Sequence, residues 1–212
     1  MEKSFDDMFS LACIKGWSDQ TRVRGLSDGA RHIRQRMEGA FGAGNFRFIL
    51  DRPHCKEHLS SAGEALKPMT GAPAQQWADE ALKKAEAGEA DAVVVELELA
   101  WEASGPDEAS RNDTLRLEAG YFERNKDAVA YAYYRDQGWS TASSEVESAH
   151  GHVVQVRVKI PGAWWHPADV DDILALRMLK ANGWWDEYWD SRRREWRERA
   201  AGFASARHAK AA

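Results

Sequence analysis

The spacing of apolar and polar positions predicts two short strands near the start of the chain. Residues 46–50 (FRFIL) alternate and then run apolar, with glycine and asparagine before them and aspartate and proline after. Residues 23–27 (VRGLS) are the other candidate, which ends at Asp28 and is followed by a helical pattern to about Gly39. Strand, helix, strand and helix in this order are half of an α/β pattern, and a complete sheet needs more strands than the sequence offers.

Helices are predicted for most of the middle of the chain. One extends from about Cys55 to Leu66, shortly after a proline, and Pro68 is expected to break it. Two or three more fill residues 74–125, and a polar stretch then leads into a segment over residues 145–159. The predicted fold class is therefore α/β and helix-dominated.

Two further helices are predicted near the carboxyl end, over residues 169–180 and 184–199. The alanine-rich tail after Gly202 is expected to fray. Tryptophans recur on one face of the last helix, which favours burial in a core, with a base-stacking platform as the alternative. They are Trp185, Trp189 and Trp196.

Composition excludes several classes of protein. With 43% apolar residues and ten tryptophans among 212 residues, the chain is too apolar and too aromatic to be disordered. It has no run of eighteen apolar residues, so no membrane span is expected. An acidic pair near the first residue argues against a signal peptide, and two cysteines fit a reducing compartment, so we expect a cytoplasmic location.

Charge is unevenly distributed, although the formal net charge is only −5. Two basic segments, residues 15–36 and 192–199, flank an acidic middle over residues 74–113. Such segments are typical of a phosphate-binding surface whose acidic side faces away, and solvated helix faces are the alternative. The net acidity therefore does not exclude nucleic acid as a partner.

Two carboxylates are candidates for a catalytic site. Asp28 follows a strand, where ligands bind in open α/β sheets, although aspartate followed by glycine is more often a turn or a helix cap. Glu147 lies where a helix is expected to begin, so a capping role is the alternative to a site role. Bases including Arg157 and Lys159 follow it, and a carboxylate beside bases is consistent with Mg²⁺-dependent phosphoryl chemistry.

His54 and His58 are four residues apart and therefore share one face of a helix. That spacing is typical of metal ligands, but a structural zinc site needs four of them, and the only close second pair is His150 and His152. Packing or polar contacts at a helix start are favoured over zinc. Nucleotide-binding loops, hydrolase elbows and paired-cysteine motifs are absent from the sequence.

Short blocks in a fixed order connect these candidates. They are LSDGA at 26–30, ILDRPHCKEHL at 49–59, YRDQG at 134–138, VESA at 146–149 and NGWWDEYW at 182–189. Their order and spacing resemble the carboxyl-terminal part of bacterial insertion-sequence DDE transposases of the ISKra family. The similarity covers nearly the whole chain, from Ile14 to Trp189.

This resemblance implies an RNase H-like fold, incomplete here, with an all-α insertion between the second catalytic aspartate and the catalytic glutamate. Residues 14–66 would hold the sheet region, 67–138 the helical insertion, and 139–200 the glutamate helix and the tryptophan-rich helices. Asp28 matches the second catalytic aspartate and Glu147 the catalytic glutamate. Both would bind Mg²⁺, which supports strand cleavage and joining in such enzymes.

A partner and supporting residues are implied as well. Double-stranded DNA at the transposon ends would be the substrate, in a bacterial cytoplasm, and a homodimer stays open. His54 and His58 would lie next to the site rather than bind the metal. The candidate DNA contacts are Arg31, Arg34, Arg157 and Lys159.

The chain departs from the family pattern at several places, two of which concern the catalytic residues. The first catalytic aspartate of the family lies on a strand well before Asp28, and nothing upstream here fits it. Near Glu147 the usual Gly-Ser-Gly is replaced by residues 142–144 (ASS), which restricts the backbone. We therefore expect a truncated transposase that binds Mg²⁺ weakly and is inactive alone. A non-catalytic helical module that binds DNA or a protein is the alternative.

Overall fold

The structure is a computed structural model that describes residues 2–42, 44–104 and 109–211. The chain divides into two compact units, residues 1–143 and residues 144–212. The first unit holds the sheet and the larger set of helices, and the described part of the second is helical. None of the described helices combines the length and apolarity that a membrane crossing requires.

Two strands form a parallel pair in the first unit. Strand β1 (Val23–Ser27) lies beside strand β2 (Phe46–Leu50), with Val23 opposite Phe46 and Ser27 opposite Leu50. Both strands have the bounds predicted from the sequence. Helix α2 (Arg31–Phe41) connects them, because parallel neighbours need a crossover rather than a tight turn.

Helix α1 (Glu2–Ile14) precedes the sheet and is an element that the sequence patterns do not predict. It packs against α2 through aromatic rings. Phe9 lies 5.8 Å from Phe41 and 5.0 Å from Trp17 between ring centroids. These rings come from separate parts of the chain, so tertiary contact supports the helix.

A series of helices follows β2. They are α3 (Arg52–Thr70), α4 (Ala74–Glu86), α5 (Ala90–Ala103), α6 (Ala109–Asn125), a 3₁₀ turn (Lys126–Ala128) and α7 (Tyr131–Asp136). Helix α3 is longer at both ends than predicted, because Asp51 caps its start and Pro68 lies inside its last turn. Two helical residues follow Pro68, so the prediction that this proline breaks the helix is wrong. The end comes at Gly71, whose φ of +69° lies in the left-handed region that favours glycine.

The core of the first unit lies between β2 and the helices after it. Side chains of β2 and α3 pack against those of α4 to α7. The largest fully buried apolar and aromatic side chains are Ile49, Leu50, Leu59, Val93, Leu97, Leu115, Phe122, Val129, Tyr131 and Tyr134. The prediction of a helix-dominated α/β chain is therefore confirmed, with a small two-stranded parallel sheet among the described residues.

Helical segments make up the described part of the second unit. They are α8 (Ser144–Ala149), a π-helical stretch (His150–Gln155), α9 (Val156–Val158), α10 (Pro167–Ala181) and α11 (Trp185–Ala211). Arg177 of α10 donates hydrogen bonds to the carbonyls of Val153, at 2.6 Å, and of His152. Helix α11 continues through Gly202, so the prediction of a frayed tail is wrong. Alanine, the best helix former, outweighs a single glycine there.

The tryptophans of α11 form a row on its surface. The ring centroids of Trp185 and Trp189 lie 5.7 Å apart, and those of Trp189 and Trp196 lie 6.4 Å apart. Trp185 is 39% exposed and Trp196 is 50% exposed, so the prediction of a buried face is wrong for both. None of the described side chains of this unit is fully buried, so its helices offer no core for these rings to enter.

Candidate functional site

Asp28 is the first residue after β1 and lies exposed at the carboxyl end of the strand pair. Its carboxylate accepts a hydrogen bond from the Ala30 N–H at 3.0 Å, and its carbonyl accepts one from the Tyr121 hydroxyl at 2.8 Å. The next residue, Gly29, has a φ of +85°, and an added Cβ would lie only 2.8 Å from the Leu50 side chain. The turn is therefore held by the sheet and by α6, and its carboxylate faces solvent.

Asp51 occupies the matching position after β2. Because Ser27 pairs with Leu50, Asp28 and Asp51 both follow paired residues at one edge of the sheet. The Asp51 N–H also donates a hydrogen bond to the Ser27 carbonyl at 2.8 Å. The sheet thus brings to one edge a predicted site residue and an aspartate that the sequence analysis did not single out.

Asp51 is fully buried, unlike Asp28. One of its carboxylate oxygens accepts a 2.6 Å hydrogen bond from the Ser143 N–H, and the other lies 2.6 Å from His54 Nδ1. Burial alone would raise the pKa of Asp51, but the hydrogen bonds from His54 and Ser143 outweigh it and hold that pKa below its usual value. Asp51 is therefore an ionised carboxylate with both oxygens engaged.

His54 is the partner of Asp51 and extends towards solvent, with 39% of its side chain exposed. The hydrogen bond to Asp51 raises the pKa of His54, burial partly offsets this, and the charges of Glu57 and Asp28 raise it further. The other ring nitrogen, Nε2, makes no hydrogen bond to any residue that the structure describes. His54 can therefore take up or release a proton within range of the Asp28 charge.

His58 lies one turn further along α3 and contacts α6. Its Nδ1 is 2.7 Å from Glu118 Oε2, and its ring stacks on Tyr121 with 3.6 Å between centroids. Burial raises the pKa of Tyr121, and nearby negative charges such as that of Asp28 raise it further. The phenol therefore stays protonated as a donor, and it connects His58 to the Asp28 turn.

These contacts decide how the first unit could hold a metal ion. Asp28 offers an open carboxylate and His54 and His58 each engage only Nδ1, whereas both carboxylate oxygens of Asp51 are engaged. Among the described residues, no group of three histidine, cysteine, aspartate or glutamate side chains is placed to hold a metal ion. The described residues of the first unit therefore do not by themselves fit a Mg²⁺ or Zn²⁺ site, since either ion needs several ligands.

Glu147 lies in α8, exposed, in the first turn together with Glu145. Its carboxylate makes no hydrogen bond or ion pair with the part of the chain that the structure describes. Glu147 belongs to the second unit and Asp28 to the first. Each of the two carboxylates is open to a ligand, and the role of Glu147 stays a prediction.

Of the candidate DNA contacts in α2, Arg34 is engaged and Arg31 is open. The Arg34 guanidinium donates to both carboxylate oxygens of Asp127, at 2.9 and 2.6 Å, and to Glu38 at 2.9 Å. The hydrogen bonds with Asp127 raise the pKa of Arg34 and lower that of Asp127. Arg31 is exposed and pairs with none of the described acids. Arg31 is therefore better placed than Arg34 to contact a phosphate.

The candidate contacts of the second unit lie near and within α9. The Arg157 guanidinium lies over the Trp165 ring, 4.8 Å from its centroid, and Lys159 is exposed. In the basic segment of α11, two arginines pair within the helix, namely Arg192 with Glu195 at 2.7 Å and Arg193 with Asp190 at 2.6 Å. These pairs partly neutralise the segment.

Comparison with known proteins adds no relative. No family model, curated protein or solved structure matches this chain.

A function must therefore be inferred from the residues at the carboxyl end of β1 and β2. There the sequence patterns point to Asp28, His54 and His58 but not to Asp51 or Glu118. An aspartate directly after the second predicted strand is the signal that finds Asp51.

Proposed function

We propose that this chain is related to the DDE transposases of the ISKra family, with an RNase H-like sheet region, and that it binds double-stranded DNA. The observation that carries the proposal is the exposed Asp28 carboxylate beside the His54–Asp51 pair. Ligands of open α/β sheets bind at this end of the strands. A carboxylate held there by fixed hydrogen bonds is what the family resemblance requires of the second catalytic aspartate.

The helices over residues 67–138 support the same proposal. Their place between Asp28 and Glu147 matches that of the all-α insertion in the family. One of them, α6, supplies Tyr121 to the Asp28 carbonyl and Glu118 to His58. The helical segment therefore shapes the surroundings of Asp28 in addition to filling the core.

The proposal extends to metal binding and to the chemistry that a metal ion supports. The resemblance assigns Mg²⁺ to Asp28 and Glu147, yet the residues around Asp28 that the structure describes do not form a Mg²⁺ site by themselves. Two-metal strand transfer needs several converging carboxylates. We therefore expect weak Mg²⁺ binding and no cleavage of DNA by this chain alone.

DNA binding by the whole chain tests the proposal. The anisotropy of a labelled duplex should report an affinity that falls steeply between about 50 and 200 mM salt, because bound lysines and arginines displace phosphate counterions. Arg31→Gln should weaken binding to every sequence and reduce the salt slope by about one. Arg116→Gln is the matched control, since Arg116 is a helix-surface arginine paired with Asp113. No binding at about 50 mM salt, or binding that salt does not change, would refute the proposal.

A nicking assay on supercoiled plasmid tests the expected lack of catalysis. With Mg²⁺ present, the chain alone should leave the plasmid intact. Nicking that Glu147→Gln and Asp28→Asn both abolish would overturn that expectation and establish an active enzyme.

Exposed rings in the second unit favour a second candidate function, a non-catalytic module that binds a protein. Trp185 is 39% exposed and Trp196 is 50% exposed, and both contact Trp189 in the row on α11. Large apolar groups at a surface mark interaction sites when they cluster, and a second copy of the chain is the simplest partner. Sedimentation equilibrium should then show self-association that Trp196→Ala weakens. A monomer at every concentration would exclude the homodimer.

A further inference from the structure

A polar cavity lies at the opposite end of the strand pair from Asp28. Its volume is about 490 Å³, and its lining includes Arg22 and Arg24 at the start of β1 and Arg47 at the start of β2. Tyr133 of α7 and Trp139 beyond it contribute as well. Sites for small ligands have volumes of about 300–1,000 Å³, so the cavity has room for one.

Positive charge dominates this lining. Two carboxylates are present, Glu38 and Asp127, and Arg34 pairs with both of them, at 2.9 and 2.6 Å. The three other arginines of the lining pair with none of the acids that the structure describes. The whole chain has 34 acids against 29 lysines and arginines, so composition does not explain a local surplus of bases.

One of these three guanidiniums, that of Arg24, is held in place before any ligand binds. Arg24 lies over the Trp139 ring, 4.1 Å from its centroid, and donates a hydrogen bond to the Arg22 carbonyl at 3.1 Å. A guanidinium stacked on a ring keeps N–H groups on its edge for another acceptor. Arg22 and Arg47 are exposed at the same cavity. Like charges around one cavity repel each other, and an anion that enters relieves that repulsion.

We propose that this cavity binds phosphate groups through Arg22, Arg24 and Arg47. Planar guanidiniums match phosphate oxygens with paired N–H donors, and three of them can neutralise more than one phosphate. The ligand class is therefore a molecule with two neighbouring phosphates. Its source is either a free diphosphate compound or two successive phosphates of a nucleic-acid strand.

This phosphate site is separate from the site at Asp28. Each strand has five residues, so the two ends of the pair lie about 16 Å apart. The inference goes beyond the proposed function and does not rest on it, because it uses neither Asp28 nor the family resemblance.

Calorimetric titration of the whole chain with pyrophosphate tests the inference. Arg22→Gln and Arg47→Gln should each weaken binding about tenfold, because each removes charge-assisted hydrogen bonds. Arg47→Lys should restore part of the affinity, since it keeps the charge but not the paired donors. The control variant Arg116→Gln makes the same change of charge outside the cavity, and it should bind pyrophosphate as the wild type does. Both cavity positions are exposed, so the circular dichroism and urea midpoint of the variants should match those of the wild type.

The same variants with a labelled single strand of about 12 nucleotides distinguish the two sources. Pyrophosphate binding that depends on Arg47 supports a free phosphorylated ligand. Strand binding that depends on Arg47, without pyrophosphate binding, supports the phosphates of a nucleic acid. If neither probe binds, or if Arg47→Gln and Arg116→Gln have equal effects on both probes, the inference is wrong.

Discussion

Replacing Asp51 by alanine should destabilise the first unit by about 2–4 kcal/mol. Asp51 caps α3, and loss of such a cap costs about 1 kcal/mol. Its carboxylate also accepts hydrogen bonds from the Ser143 N–H and from His54, both at 2.6 Å. Partners left unpaired in a buried place cost about 1–3 kcal/mol.

Asp51→Asn separates the charge from the cap. Asparagine has the same shape and caps helices as well as aspartate does. It lacks the charge that strengthens the hydrogen bonds with Ser143 and His54. The expected loss is therefore smaller, about 1–2 kcal/mol.

The effect of Asp51→Asn should depend on pH in a defined direction. The pKa of Asp51 is below its ordinary value of 3.8, so its contribution is present above that pH and is lost as pH falls through the lower folded value. The pKa of His54 is above its ordinary value of 6.5, so its contribution is full below that pH and is lost as pH rises through the higher folded value. The difference between wild type and Asp51→Asn should therefore be largest between pH 3.8 and 6.5.

Urea unfolding, followed by circular dichroism across that pH range, measures these differences. Asp79→Asn is the control, because Asp79 is a half-exposed carboxylate that pairs with Lys56 at 3.4 Å and should change stability by less than about 0.5 kcal/mol. If Asp51→Ala unfolds at the same urea concentration as Asp79→Asn, the buried carboxylate does not hold this end of the sheet. A difference that does not vary with pH would refute the assignment of charge to the Asp51–His54 pair.

Three further outcomes are expected. Arg34→Gln should lower the free energy of unfolding by about 0.5–1 kcal/mol because it breaks two ion pairs, and it should change DNA affinity no more than Arg116→Gln does. A loss of DNA affinity without a loss of stability would make Arg34 a DNA contact. Gly29→Ala should cost about 1–3 kcal/mol, since φ is +85° and the space is filled, whereas Gly39→Ala meets nothing within 4 Å and should not destabilise in the same melts. Burial raises the pKa of Cys55 to about 11, so a disulfide reagent should modify the exposed Cys13 at once and Cys55 only on unfolding; two fast thiols would contradict this.

Local sequence patterns were sufficient to predict the sheet. Both strands begin and end at the predicted residues, because alternation and flanking turn residues are properties of adjacent positions. The helix between them supplies the crossover that a parallel pair needs, since a tight turn cannot join parallel strands. Asp28 lies at the carboxyl edge of the sheet for the same local reason.

Contacts between distant elements account for what the sequence did not reveal. Helix α1 packs through Phe9 on Phe41, and no pattern within the helix contains that partner. Trp196 lies in the predicted row, yet burial of that row depends on a covering element that the pattern does not include. Arg34 belongs to a basic segment in the sequence, and that segment does not contain Asp127, the ion-pair partner 93 residues away.

Asp28 and Asp51 show how one long-range contact separates two residues with the same local pattern. Each aspartate directly follows a strand, so both lie at the carboxyl edge of the sheet. Of the two aspartates, only Asp51 accepts a hydrogen bond from the Ser143 N–H, which lies 92 residues further along the chain. Asp51 is buried and orients His54, whereas Asp28 keeps an exposed carboxylate. Asp51→Asn should therefore lower the pKa of His54 while leaving the Asp28 carboxylate available, because it removes the charge beside the imidazole and does not alter Asp28.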